Sequence, residues 1–117
     1  MPTMAMDKSI YYGKWHGNAG NSKIMINLKK RKTNITINGT PVSQAIKYEY
    51  TYSNVSPYPF LSIKFTDDKQ AEHLFYLTIG IEADNKTRLL GFYEVSQIIP
   101  NSHGKLESIS YSLKMEQ

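Results

Sequence analysis

Side chains able to carry chemistry are few in this 117-residue chain, and they are scattered. It has no cysteine, which excludes disulfides, thiolate metal sites and cysteine nucleophiles. His16, His73 and His103 fall on two expected strands and a loop, without the His-x-x-x-His or Glu-x-x-His spacing that brings metal ligands together. Asp67 and Asp68 are adjacent in an expected turn, where neighbouring carboxylates are ordinarily just hydrated. No Gly-x-Ser-x-Gly elbow, phosphate loop or dinucleotide fingerprint occurs. Neither catalysis nor a metal or haem role for one histidine has a motif behind it. No cofactor is expected.

The aromatic residues are the richer signal. Tyr48, Tyr50 and Tyr52 recur at period two, and Tyr58, Phe75, Tyr93 and Tyr111 lie on other segments. A tyrosine offers a wide apolar body and one hydroxyl, so such rings can wall a cavity for a flat or apolar ligand. The same rings can equally be core, or an outward ladder that stabilises a sheet. Tyr48, Tyr50, Tyr93 and Tyr111 are the candidate ligand-binding residues.

Fourteen basic against ten acidic side chains give a formal charge of +4, and most of the excess sits in Lys29-Lys30-Arg31-Lys32. A nucleic-acid binder usually spreads basic residues over a face or a helix, whereas this tetrad lies between two apolar segments and reads as a solvated hairpin tip. Basic residues interleaved with aromatics would suit a single-strand platform of the OB type, but here they occupy different segments. The expected partner is therefore a small molecule or another protein, not nucleic acid, and the oligomeric state is open.

No run approaches the roughly 18 apolar residues that span a bilayer as a helix, so no membrane partner is expected. Met1 to Lys8 lacks the apolar middle of a signal peptide, and Met1, Met4 and Met6 read as an untidy or engineered start. The expected division is a disordered segment 1–8 and a β domain 9–117, either cytoplasmic or secreted after removal of a leader. Asn-x-Ser/Thr triplets at Asn34, Asn38, Asn54 and Asn85 would matter only in a secreted eukaryotic chain.

The elements that must position these residues are strands, because apolar residues alternate at period two almost throughout. Ser22 to Lys30 sets Ile24, Ile26 and Leu28 on one face; Thr33 to Asn38 repeats the pattern with Ile35 and Ile37, and Asn38-Gly39 turns the chain. Pro41 bars a central strand at its own position, and Thr40 to Lys47 is the one place where a helical turn would fit. Further strands are expected at Gln44 to Tyr52, Phe60 to Thr66, Glu72 to Glu82, Arg88 to Ile99 and Lys105 to Met115. With an opening strand through Ile10 to His16, about eight strands with hairpin-length connections predict an all-β antiparallel barrel with little helix.

Gly13-Lys14-Trp15 on the opening strand, with the chain's only tryptophan, resembles the start of the calycin barrels: lipocalins, fatty-acid-binding proteins and avidins. In those families the tryptophan plugs one end of the barrel. Gly20-Asn21-Ser22 before an alternating segment is closest to the avidin opening, Gly-x-Trp-x-Asn-x-x-Gly-Ser. This chain has Gly17 and Asn21 where that family contacts biotin through asparagine and serine, so the resemblance implies the barrel and not the vitamin. Leu90-Gly91-Phe92-Tyr93 resembles the late strands of small bacterial lipocalin-like domains. The expected function is non-catalytic binding of a small apolar or aromatic ligand in or at the mouth of the barrel, through the end opposite Trp15. The alternative is an inhibitor or immunity-type barrel that binds protein through its loops or one face.

Overall fold

In the computed structural model, which describes residues 8–117, this alternation becomes nine antiparallel strands in a single sheet. They are β1 Gly13–Ala19, β2 Ser22–Leu28, β3 Thr33–Ile37, β4 Thr40–Pro41, β5 Lys47–Thr51, β6 Phe60–Thr66, β7 Glu72–Ile81, β8 Thr87–Ile98 and β9 Leu106–Glu116. Strand accounts for 60% and helical turns for 4% of the described residues, so the expected dominance of β structure holds. Neighbours in sequence are neighbours in the sheet except for β4 and β5, and β1 also pairs with β9 at His16↔Glu116 and Gly17↔Met115.

The barrel does not close. Strands β4 and β5 are the two edges of the sheet, leaving a half-barrel open along that seam. Pro41 has no N–H to donate and β4 is only two residues long, so the ladder cannot propagate from β4 across Val42 to Ile46. The count is nine strands rather than eight because this short β4 forms where a helical turn was the other option. The opening strand starts at Gly13, not Ile10. Lys8–Tyr11 instead forms a 3-10 turn, which leaves only Lys8 of the expected disordered segment among the described residues.

That turn builds one end of the half-barrel. Tyr11 and Trp15 are fully buried; the indole N–H of Trp15 donates to the Tyr11 carbonyl at 2.8 Å, and the Tyr11 hydroxyl donates to the carbonyl of Pro59. Each ring buries its body and still satisfies its polar atom, as large buried rings must. We call this the capped end. From it the core runs inward through Ile24, Ile26, Leu61, Ile63, Phe75, Leu77, Leu89 and Met115, every one of them at most 2% exposed. The interior is filled by side chains, which an eight- or nine-stranded sheet of this size permits. At Gly91, a Cβ would meet the Tyr76 carbonyl oxygen at 1.8 Å, so glycine is what lets β8 lie this close to β7.

Candidate functional site: the open end and the β8–β9 tip

The opposite end is built differently. Because side chains alternate along a strand, His73 shares the inward face of β7 with Phe75 and Leu77, and the pairing Phe65↔His73 sets it beside β6. Its ring stacks on Phe65 at 4.3 Å between centroids and lies 5.8 Å from Tyr93. Its Nδ1 meets the Tyr93 hydroxyl at 2.6 Å and its Nε2 meets the Asp67 carboxylate at 2.8 Å. Asp67 is fixed in turn by the β6–β7 connection, where its other oxygen accepts the backbone N–H groups of Lys69 and Ala71, each at 2.9 Å.

The electrostatics follow from these contacts. Burial works to raise the Asp67 carboxyl, but the hydrogen bonds from His73, Ala71 and Lys69 outweigh it and hold the group below the usual carboxylate range. Burial, reinforced by Tyr111 and Asp67, pushes the Tyr93 hydroxyl up to about 12. Tyr93 therefore stays neutral and can donate to Nδ1 while Nε2–H donates to Asp67, which satisfies every polar atom of the chain Asp67–His73–Tyr93.

The four tyrosines singled out from sequence separate into two pairs. Tyr50 lies at the capped end, its ring edge-on to Tyr11 at 5.4 Å with the Lys8 ammonium 5.3 Å above it, and Tyr48 is its neighbour at 6.4 Å. Burial pushes the Tyr50 hydroxyl well above its ordinary value. Tyr93 and Tyr111 face each other at 6.2 Å at the open end, where Tyr111 also packs under Gly20 of the β1–β2 turn. All four point inward onto the core. A groove of about 310 Å³ opens beside His73, Phe65 and Asp67, walled on the far side by Ile37, Pro41 and Val42 along the unclosed seam.

Beyond this end the last hairpin continues alone. Strand β7 stops pairing with β8 at Glu72↔Ser96, whereas β8 and β9 remain paired out to Ile98↔Leu106. On its other side, β9 has no ladder partner from Leu106 to Ser110 among the described residues. The ribbon exposes Ile98 at 65%, Leu106 at 63% and Ile109 at 50%. It is closed at the tip by Asn101 and His103 in the left-handed region and by the Ile99 N–H donating to the Lys105 carbonyl.

Sequence reasoning did not connect Asp67, His73 and Tyr93. The available signal was parity: His73 lies two residues before Phe75 and so must point to the core, where an imidazole needs partners. The His-x-x-x-His spacing, which this sequence lacks, does not detect a histidine joined across strands. The expected turn at Asp67-Asp68-Lys69 is present, as is the exposed reversal at Lys29 to Lys32, closed by the Lys29 N–H donating to the Lys32 carbonyl at 2.9 Å.

Comparison with protein-family models, with curated proteins and with solved structures finds no match to this chain.

Proposed function

We propose that this chain is a non-catalytic binding module that engages another protein through the β8–β9 ribbon. The supporting observation is the contrast between a filled interior and an unfinished strand edge: the core residues are closed to solvent, while Leu106 to Ser110 have no ladder partner on one side among the described residues, beside exposed Ile98, Leu106 and Ile109. A free antiparallel edge of this kind accepts an extended segment by adding a strand, with backbone hydrogen bonds giving affinity and alternate side chains giving selectivity. The added strand would lie in line with β1, which occupies the same side of β9 lower down.

Selection of displayed random peptides on the immobilised protein tests this. We expect extended, β-branched or aromatic sequences to be enriched, and to be lost when Leu106→Lys and Ile109→Lys are introduced together. Enrichment that survives both substitutions would refute the reading.

A second reading is favoured by one observation, the groove beside His73 with Tyr93 and Tyr111 behind it. There a small flat or apolar molecule would sit at the mouth of the half-barrel rather than inside it. Native mass spectrometry of the purified protein distinguishes the two, since a co-purified small molecule that leaves on His73→Ala would favour the groove.

A further inference from the structure

The two halves of the chain carry opposite charge. From Lys8 to Tyr48 the chain has eight lysines and arginines and no carboxylate, whereas from Glu49 to Gln117 it has six against nine carboxylates. The second half neutralises its cations locally: Arg88 lies within 3.0 Å of both Asp84 and Glu116, and Lys114 pairs with Glu82. In the first half, no ion pair involves Lys14, Lys23 or Lys29 to Lys32 among the described residues. A uniform sign over one face is a standing positive potential.

Register concentrates this on the outer face of β1, β2 and β3. Trp15, Ile24, Ile26 and Ile35 point inward, so the cross-strand row His16↔Met25↔Thr36 and the row Lys14↔Asn27↔Asn34 point outward. Over the first row lies a shallow hollow of about 350 Å³, with Met25 half-buried in its lining and His16, Lys23 and Thr36 around it.

We propose that this face docks an acidic protein surface, which seats one apolar side chain in the hollow over Met25 and sets carboxylates against Lys14 and Lys23. The proposal rests on the reading of the chain as a protein-binding module and supplies the charge of the partner. An adaptable methionine within a polar, cationic surround matches the anatomy of protein interfaces, in which methionine is enriched at the apolar centre. Nucleic acid fits less well, because the His16 imidazole is the one ring on these two rows that could stack a base and a phosphate backbone has nothing apolar for the hollow. A bilayer would need inserted apolar side chains, and Met25 is the only one these rows offer. The Lys29 to Lys32 tip stands apart at the end of the β2–β3 hairpin, where exposed charge acts on encounter rate more than on the lifetime of a complex.

The test is amide chemical-shift mapping with the capped pentapeptide Asp-Glu-Leu-Asp-Glu as probe. We expect shifts centred on Gly17, Lys23, Met25, Thr36 and Gly39, and an affinity at least about tenfold weaker for the Lys14→Glu/Lys23→Glu variant, whose fold the same spectra report. Shifts confined to Lys29 to Lys32 would overturn the proposal, as would tighter binding of a short duplex DNA or of phosphatidylserine vesicles at the same salt. A Leu106→Lys variant must respond as the wild type does. Failure of the ribbon in peptide selection thus leaves this face standing, while loss of its response in that variant overturns it.

Discussion

The capped end and the open end solve the same problem, the burial of aromatic rings that carry polar atoms, in opposite ways. At the capped end Tyr11 and Trp15 give their donors to backbone carbonyls, so the rings are locked to the chain path itself and nothing is left over. At the open end Tyr93, His73 and Asp67 satisfy one another through side chains, and beyond them a two-stranded ribbon carries apolar residues into water. An isolated ribbon of two strands is marginal on its own. The difference is one of closure: one end holds the sheet together, and the other leaves hydrogen-bonding and apolar capacity unspent.

The largest effect should come from the capped end. Trp15→Ala removes a fully buried indole and strands the Tyr11 carbonyl, and we expect a loss of about 3 to 5 kcal/mol in urea unfolding. A loss under about 1 kcal/mol would mean that this end can collapse around the gap and does not hold the fold. At the open end Tyr93→Phe should cost less, about 1 to 2 kcal/mol, because it deletes one hydroxyl and leaves His73 Nδ1 without its partner inside a ring stack. If the two costs were equal, the contrast between the ends would not exist.

Extremes of pH sharpen the contrast further. Burial raises the hydroxyls of both Tyr11 and Tyr93 to about 12, so the fold favours their neutral forms. That contribution is complete below the ordinary tyrosine value near 10 and is lost as pH climbs from there through about 12. Asp67 runs the other way: its lowered carboxyl contributes above the ordinary carboxylate range and loses that contribution as pH falls through its folded value. Alkali should therefore weaken both ends while acid acts through Asp67 at the open end, and Asp67→Asn should flatten the acid limb of a melting profile while moving the alkaline one far less, since burial and not the Asp67 charge is the main cause of the raised Tyr93 hydroxyl.

The parts that were legible in the sequence are those governed by local periodicity. Phe60 to Thr66 is a strand over the expected residues, and Ile24, Ile26, Leu28 and Ile35 are buried as their alternation requires, because a one-residue slip would turn all of them to water. What periodicity could not show was anything joining distant strands. Whether the edges at β4 and β5 meet depends on sheet curvature, and the Asp67–His73–Tyr93 chain depends on register across three elements. The 3-10 turn at Lys8 to Tyr11 escaped for a related reason: Tyr11 alternates like a strand residue, yet it is held by a carbonyl 48 residues away.

The smallest effect on stability is expected at the most highly charged point of the chain. Ile24, Ile26 and Leu28 before the reversal and Ile35 after it are core residues, so Lys29 to Lys32 must occupy the turn, and all four are exposed there. Four like charges at one tip repel one another and stay hydrated, and a Debye length of about 8 Å at physiological salt screens them from the rest of the sheet. Changing all four to serine should therefore alter unfolding free energy by no more than about 0.5 kcal/mol, the usual range for surface sites. The backbone bond from Lys29 to Lys32 does not depend on the side chains and keeps the reversal in place. If the basic outer face binds as proposed, the same variant should slow association with the acidic probe and lessen its salt dependence while leaving dissociation unchanged. A change in dissociation, or submicromolar and salt-sensitive affinity for DNA or RNA that disappears with the four cations, would move the binding site from the face of β1 to β3 to the tip itself.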